Sequence, residues 1–189
     1  MTCEQLFATP IFKKKIIGGD LTDCVKNIQK KDAGVKYSNR GGWHSHSFQE
    51  PNKEFTNVWK DIEIHLNTFH KFMGMGDEAY ITSMWFNVNT KNSYNIPLNH
   101  PMSNYCGVFY IQTPVICGDI HFINPNSISG WIWPKSSLIT TNNMNVNSIR
   151  YKAEKDTLYI FPSYLQHYVD ANKSGEERIS LSFNSGIRS

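Results

Sequence analysis

The first half of the chain carries the hydrophobic periodicity of helices. Over residues 21–30 apolar side chains recur on one face, and Asp20 or Thr22 can cap the start. Over residues 53–72 the repeat is stronger, with apolar residues at three- and four-residue steps: Phe55, Val58, Trp59, Ile62, Leu66 and Phe69. This spacing places one apolar stripe along each segment. We therefore predict two amphipathic helices.

From about residue 80 the apolar period changes to two. Gly, Pro and Asn separate runs of β-branched and aromatic residues that are typical of short strands: YITSMWFNVN, YCGVFYIQTP, GDIHFINP, DTLYIFPSYLQHYV and RISLSFN. Helices followed by a block of strands predict an α+β protein, in which an antiparallel sandwich or barrel carries the helices on one sheet. The chain has 189 residues and no repeat or linker, so we expect one domain over 1–189.

The final run, RISLSFN, separates polar from apolar side chains most clearly. Its odd-numbered positions are apolar, and its even-numbered positions are polar: Arg178, Ser180, Ser182 and Asn184. We expect the apolar face to pack on the helices, so that the polar face points into the barrel mouth. An arginine there needs an anion, because an unpaired buried charge is very costly. A local acid is the alternative partner for Arg178.

Composition narrows the class of protein. The net charge is +3, and short lysine runs at 13–15 and 30–31 are followed by no basic stripe with aromatics, which disfavours a nucleic-acid partner. The four cysteines form no CxxC pair or zinc-like spacing, which predicts reduced thiols in an intracellular protein. We find no signal pattern and no long apolar run, so we expect a cytoplasmic protein with no membrane partner.

Two histidines stand out by their context. His100 directly precedes one predicted strand, and His167 ends another. Neutral imidazole is a ligand for Fe, Zn, Cu and Ni alike. Either histidine alone is more often a hydrogen-bonded core residue. Their combination with Arg178 and Ser180, which follow His167 after ten intervening residues, favours a ligand role.

This arrangement resembles the Fe(II)/2-oxoglutarate-dependent oxygenases, and more narrowly the 2OG-Fe(II) oxygenase family of bacteria and phages. The motifs behind the resemblance extend over nearly the whole chain: LFATPIF, SNRGGW, HPMSNYCGVFYIQTP, GDIHFINP, FPSYLQH and RISLSFN. The resemblance implies a prolyl-hydroxylase-like double-stranded β-helix, a jelly-roll or cupin-like fold, with N-terminal helices packed on one sheet. It also implies Fe(II), 2-oxoglutarate as cosubstrate, and O₂.

The resemblance also implies roles for individual residues. His100 and His167 would bind the iron, and Arg178 would hold the far carboxylate of 2-oxoglutarate, which its planar fork matches. Further residues are assigned to cosubstrate or cofactor binding: Ser180, Tyr110, Asn95 and Asn184. The alternatives are structural, namely a core network for Tyr110 and a turn for Asn95.

The metal motif departs from the family pattern. An acid usually follows the first histidine by two residues, whereas Met102 stands at that position here. Relatives often have His-x-His-Pro, and the earlier position here is Leu98. Water or the cosubstrate would then complete the iron site, or Asp119 would enter from another strand. The alternation of GDIHF turns Asp119 away from the core.

Two further segments carry aromatic or histidine residues. In NRGGWHSHSF, His44 and His46 could chelate a metal or belong to a surface loop, and Trp43 is a candidate wall for the substrate. In SGWIWPKSS, Trp131 and Trp133 would form a second lip of the pocket or a hydrophobic plug.

The function we predict is an Fe(II)- and 2-oxoglutarate-dependent dioxygenase, most simply a hydroxylase of an unidentified substrate. A protein side chain, a free amino acid and a metabolite are all open as substrates. One rival is a non-catalytic jelly-roll binding or structural module, which the missing carboxylate favours. Another is a nucleic-acid demethylase, which the weak positive charge disfavours. For a phage-encoded protein the expected compartment is the host cytoplasm.

Overall fold

A computed structural model describes residues 6–126, 136 and 138–188. Two helices lie within these ranges, α1 (Thr22–Gln29) and α2 (Thr56–Phe72). The strands are β1 (Phe12–Lys15), β2 (Asn39–Arg40), β3 (Trp43–His44), β4 (Glu78–Asn89), β5 (Tyr94–Leu98), β6 (Tyr105–Gln112), β7 (Ile120–Ile123), β8 (Ser148–Tyr151), β9 (Thr157–Pro162), β10 (His167–Val169) and β11 (Arg178–Arg188).

The strands form two antiparallel sheets. The six-stranded sheet has the order β1-β9-β6-β11-β4-β3, and the five-stranded sheet has the order β2-β5-β10-β7-β8. Most neighbours in space are distant in sequence, and β11 pairs with both β6 and β4 at the centre of the larger sheet. Such connections are typical of double-sheet jelly rolls. The architecture is the α+β fold predicted from the sequence.

The helices cover the outer face of the six-stranded sheet. Every residue of the predicted α2 stripe is buried, and this helix packs mainly on β4. The apolar positions of β11 complete that core, since Ile179, Leu181 and Phe183 are each 0% exposed. A second apolar cluster lies between the two sheets. The opposite face of β11 is thereby turned toward the space between the sheets.

One predicted strand is in fact two. The run DTLYIFPSYLQHYV forms β9 in the six-stranded sheet and β10 in the five-stranded sheet. A turn separates them, in which the Leu165 N–H donates to the Pro162 carbonyl at 3.0 Å. His167 therefore begins a strand, where the sequence interpretation had it ending one. The apolar pattern continues through the turn because Leu165 is itself buried, so periodicity alone hides the break.

Three of the four cysteines lie in the described residues, and none of these forms a disulfide. Cys24, Cys106 and Cys117 are buried free thiols, as the sequence predicted, and Cys3 lies outside the described residues. The described part of the chain also contains no helix that is long and apolar enough to cross a membrane.

Candidate active site

A cavity of about 330 Å³ lies between the two sheets. All the residues to which the resemblance assigned iron or cosubstrate binding line it: Asn95, His100, Tyr110, His167, Arg178, Ser180 and Asn184. They come from β5, β6, β10, β11 and the segment after β5, which are widely separated along the chain. The fold thus brings the predicted histidines and the predicted arginine into one space.

The polar face of β11 forms one wall of this cavity. Arg178, Ser180, Ser182 and Asn184 all line it, as the alternation of RISLSFN predicted. Because β11 is a central strand paired on both sides, its backbone is held along most of its length. Side chains on such a strand are more precisely positioned than side chains on a loop.

Arg178 is 1% exposed and forms no direct ion pair among the described residues, although the carboxylates of Asp119 and Asp170 act on it from further away. Its Nη1 donates to the backbone carbonyls of Cys117, Gly118 and Asp170 at 2.6, 3.1 and 3.2 Å. Burial lowers the pKa of the guanidinium, yet arginine remains charged at any ordinary pH. The alternative that Arg178 pairs with a local acid is therefore wrong for the described chain. Its charge is free to meet an anion in the cavity.

Gly118 allows the chain to approach this guanidinium closely. It has a φ of +88°, and a Cβ at this position would lie 2.3 Å from the Asp170 carbonyl oxygen and 2.8 Å from Nη1 of Arg178. A side chain at 118 would therefore push this loop away from the arginine. The glycine of GDIHFINP helps to hold the arginine in place.

Tyr110 and Ser180 stand near Arg178 on the same cavity. Tyr110 is 1% exposed, and burial raises the pKa of its hydroxyl, which stays protonated as a hydrogen-bond donor. Asn95 lies within β5 and donates to the Ser38 hydroxyl at 3.1 Å. The alternative that Asn95 makes a turn is therefore wrong, because it is a strand residue that lines the cavity.

His167 is held in a tautomer suited to metal binding. Its Nδ1 lies 2.9 Å from the Leu165 carbonyl oxygen, which can only accept, so Nδ1 carries the proton and Nε2 presents a lone pair. Burial lowers the pKa of the imidazole, which keeps it neutral. Metal-binding histidines commonly donate their second ring nitrogen to a carbonyl in this way.

His100 lies directly beside His167. The two rings stack with centroids 5.2 Å apart and an interplanar angle of 8°. The backbone N–H of His100 donates to the Ser163 carbonyl at 3.0 Å, which ties the segment after β5 to the turn before β10. Burial and the neighbouring His167 lower the pKa of His100 to about 4. Both imidazoles are therefore neutral at physiological pH.

The described residues contain no cluster of three or more His, Cys, Asp or Glu side chains arranged for a metal ion. Asp119 is not among the cavity-lining residues. Its carboxylate accepts the Ala153 N–H at 2.9 Å and lies 3.7 Å from the Arg150 guanidinium, on the side of β8. Leu98 does line the cavity, opposite His167 in the β5–β10 pairing.

Sequence reasoning missed His44 as a cavity residue. His44 is buried and lines the cavity, and its ring stacks on Trp85 at 5.5 Å. Trp85 in turn stacks on His100 at 5.9 Å, so an aromatic row leads to the two histidines. Burial lowers the pKa of His44. His44 and Trp43 lie on opposite faces of β3, but a strand of two residues is too short for its alternation to show in the sequence.

Other predictions about aromatic and histidine residues are corrected. Trp43 packs against the helix-side core and donates to the Asp32 carbonyl, so it is not a wall of this cavity. His46 is exposed and bonds to Asp32 at 2.6 Å, whereas His44 is buried in the cavity wall, so the two do not chelate one ion. Trp131 and Trp133 lie outside the described residues.

The residues present fit Fe(II) and 2-oxoglutarate. Iron accepts imidazole nitrogen, and two neutral, stacked imidazoles face the cavity. A dicarboxylate suits the buried guanidinium, which has N–H donors to spare and forms no direct ion pair in the described chain. The described chain supplies two histidines here and no carboxylate, so the donor set departs from the usual triad.

The fold and the cavity define a jelly-roll protein with neutral histidines at one end of a cavity and a buried arginine at the other. The family model described as "Putative 2OG-Fe(II) oxygenase" matches residues 83–184, more than half of the chain. This protein belongs to that family. It is an Fe(II)- and 2-oxoglutarate-dependent oxygenase, and O₂ is its further cosubstrate.

Solved structures show the same fold. A prolyl-4-hydroxylase from Pseudomonas putida is 11% identical with a TM-score of 0.66, over 97% of this chain and 96% of that one. A prolyl hydroxylase from Trichoplax adhaerens, in complex with a peptide fragment of hypoxia inducible factor, is 11% identical with a TM-score of 0.63, over 96% and 85%. The viral collagen prolyl hydroxylase of Paramecium Bursaria Chlorella virus-1, in a 2-oxoglutarate complex, is 12% identical with a TM-score of 0.59, over 93% and 94%.

These likenesses confirm the predicted jelly-roll fold with helices on one sheet. A comparison with curated protein sequences finds no match.

Proposed function

We propose that this oxygenase is a hydroxylase in which His100 and His167 bind Fe(II) and Arg178 binds the distal carboxylate of 2-oxoglutarate. The proposal rests on one observation: a single cavity has side chains suited to a metal at one end and a side chain suited to a carboxylate at the other. Two neutral imidazoles stand at one end, and a fully buried guanidinium without an acidic partner stands at the other. A structural module has no use for an unpaired buried cation, since its desolvation is costly.

The chain's own residues would divide the work as follows. His100 and His167 supply two nitrogen ligands and leave the remaining positions open. Arg178 offers its unused N–H donors to the carboxylate, while Ser180 and Tyr110 can add hydroxyl donors. Asn95 and Asn184 complete the proposed polar lining. When bound, Fe(II) with 2-oxoglutarate activates O₂ and oxidises a C–H bond of the substrate as the cosubstrate is decarboxylated to succinate.

The cavity also limits the chemistry of the substrate. Apart from Arg178 and histidines, its lining consists of apolar, aromatic, hydroxyl and amide side chains, with no carboxylate or lysine. Once Arg178 is paired with the cosubstrate, a substrate group that enters the cavity would therefore be uncharged. The peptide-bound Trichoplax prolyl hydroxylase makes a peptide side chain the first class to test. A free amino acid or a small metabolite is the next.

An anaerobic titration tests this proposal. Fe(II) is added to the metal-free protein with and without 2-oxoglutarate, and a metal-to-cosubstrate charge-transfer band is expected only when both are present. Admission of O₂ should then release succinate and bleach the band. A matched control is His65→Ala, which removes an α2 histidine outside the cavity and should leave the band intact. The absence of the band in the unaltered protein would favour the non-catalytic binding module.

A further inference from the structure

One buried oxygen in the cavity region has no partner. Oδ1 of Asn184 is buried and has no hydrogen-bond partner among the described residues. Only Thr157 has another side-chain atom in that condition within the described chain, and Thr157 does not line the cavity. An unsatisfied buried carbonyl costs about 1–3 kcal/mol. Such a group therefore points to a ligand that the oxygen meets in the working protein.

Asn184 stands at the histidine end of the cavity. It lies six positions after Arg178 on β11, on the same polar face. Across the larger sheet it is in register with Cys106, which is in register with Phe161, whose ring contacts His167 at 4.8 Å. This row of strands places the Asn184 side chain at the same end of the cavity as His167, on the wall formed by the opposite sheet.

A backbone relay ties the same point of β11 to His100. The Ser185 carbonyl accepts the N–H of Asn104, and the Asn104 carbonyl accepts the N–H of Ser163. The Ser163 carbonyl then accepts the N–H of His100. The Asn184 amide lies near enough to the His100 ring to act on it as a hydrogen-bonding group, although no hydrogen bond of normal geometry joins Oδ1 to the ring.

The pairing of β11 changes register at this residue. Asn184 pairs with Ser83 of β4, and the next residue, Ser185, pairs with Ile81, so that Thr82 is an extra residue on β4. Bulges of this kind are common beside active sites, where they re-aim a side chain. The irregularity lies where Asn184 is turned toward the histidines.

We propose that the Asn184 amide oxygen is the third protein ligand of the metal, in the place of the carboxylate that this chain lacks. Amide and carboxylate oxygens are similar hard donors, but the amide is neutral and binds more weakly. The site would then combine two imidazoles with one carbonyl oxygen. This inference rests on the proposed function, because it assumes the metal at His100 and His167.

Metal affinity without cosubstrate tests the proposal. Mn(II) or Co(II) is titrated calorimetrically into the metal-free protein, its Asn184→Ala and its Asn184→Asp variants. Loss of the ligand in Asn184→Ala should weaken affinity by about tenfold or more, and the charged Asn184→Asp should bind at least as tightly as the unaltered protein. The Co(II) absorption spectrum should change in both variants, since the set of atoms around the metal changes. Asn87→Ala is the matched control, because Asn87 is a cavity amide that already bonds to Ser182 at 3.1 Å.

The outcomes distinguish a failure of this inference from a failure of the proposed function on which it depends. If Asn184→Ala keeps unaltered metal affinity but binds 2-oxoglutarate more weakly, the amide is a cosubstrate donor and the ligand proposal is overturned. Weaker metal binding in Asn184→Asp would overturn it as well, and this variant serves if Asn184→Ala does not fold. If His100→Ala and His167→Ala also bind metal normally, the proposed function itself fails.

Discussion

The two ends of the cavity differ in how completely the described residues form them. At one end Arg178 is buried, its Nη1 is held by three backbone carbonyls, and Gly118 brings the loop up to it. At the other end His100 and His167 are oriented and neutral, but no third side chain of the usual kind joins them in the described chain. The arginine end is thus held in place by the described chain alone, whereas the described histidine end offers two imidazoles and no third side chain of the usual kind.

The difference between the two ends follows from what an arginine site and a metal site each require. A guanidinium needs a rigid setting to present two parallel donors, so its surroundings must be specified in full. A metal ion accepts several combinations of nitrogen and oxygen donors, so one ligand position can change its chemistry. If the two ends act separately, a change at one end should leave ligand binding at the other end intact.

The largest effect is expected at the histidine end. His100→Ala and His167→Ala should each abolish Fe(II) binding and cosubstrate turnover, because each removes one of the two imidazole ligands that we propose. Calorimetric titration of metal under anaerobic conditions measures the loss, and His65→Ala provides a histidine deletion outside the cavity. Stoichiometric iron in His100→Ala would show that the ligand is elsewhere, and His44 and His121 would be the next residues to replace.

The next effect belongs to the arginine end. Arg178→Leu should lower 2-oxoglutarate affinity by roughly thirtyfold or more, since truncating one partner of a buried charge pair typically costs about 2–5 kcal/mol. Metal binding without cosubstrate should stay near normal. Arg178→Lys should restore only part of the affinity, because a point charge cannot reproduce the planar fork.

Arg178→Leu also tests the structural alternative. If this variant unfolds and its folded fraction keeps unaltered 2-oxoglutarate affinity, the arginine serves the fold alone. Circular dichroism and thermal unfolding of the variant, beside a 2-oxoglutarate titration, separate these results.

A smaller effect is expected from pH. His100 is neutral in the folded protein above about pH 4, whereas the same side chain in the unfolded chain gains its proton below about 6.5. The unfolded state therefore binds more protons between these values, and the free energy of unfolding should fall as pH falls through this window, by about 2 kcal/mol. Urea unfolding at pH 7 and pH 4.5 measures the loss. His100→Asn should reduce this pH dependence, and an unchanged slope would contradict the depressed pKa.

The smallest effect is expected at Asp119. Its carboxylate already bonds to the Ala153 N–H and faces Arg150, away from the cavity lining. Asp119→Ala should therefore leave iron affinity within about tenfold, which is roughly 1.4 kcal/mol. Complete loss of iron from this variant would identify Asp119 as the third ligand and exclude that role for Asn184.

Much of the fold could be predicted because its signals are local. The α2 stripe is helical periodicity, and its predicted members are all buried. The polar face of β11 is strand alternation, and its four polar residues all line the cavity. Short strands were harder: β2 and β3 have two residues each, too few for a period to register. His44 was missed as a cavity residue for this reason.

Local geometry therefore fixes which side chains share a face, because the positions of neighbours along one strand or helix follow from their spacing in the sequence. The sequence also carried the motifs that indicated the family. Which faces meet is visible in the three-dimensional fold and in no local pattern. The division of residues 156–169 between two sheets, the stack of His44, Trp85 and His100, and the unpartnered oxygen of Asn184 all depend on pairing between distant segments. That pairing follows from burial of the whole chain at once, which no local period encodes.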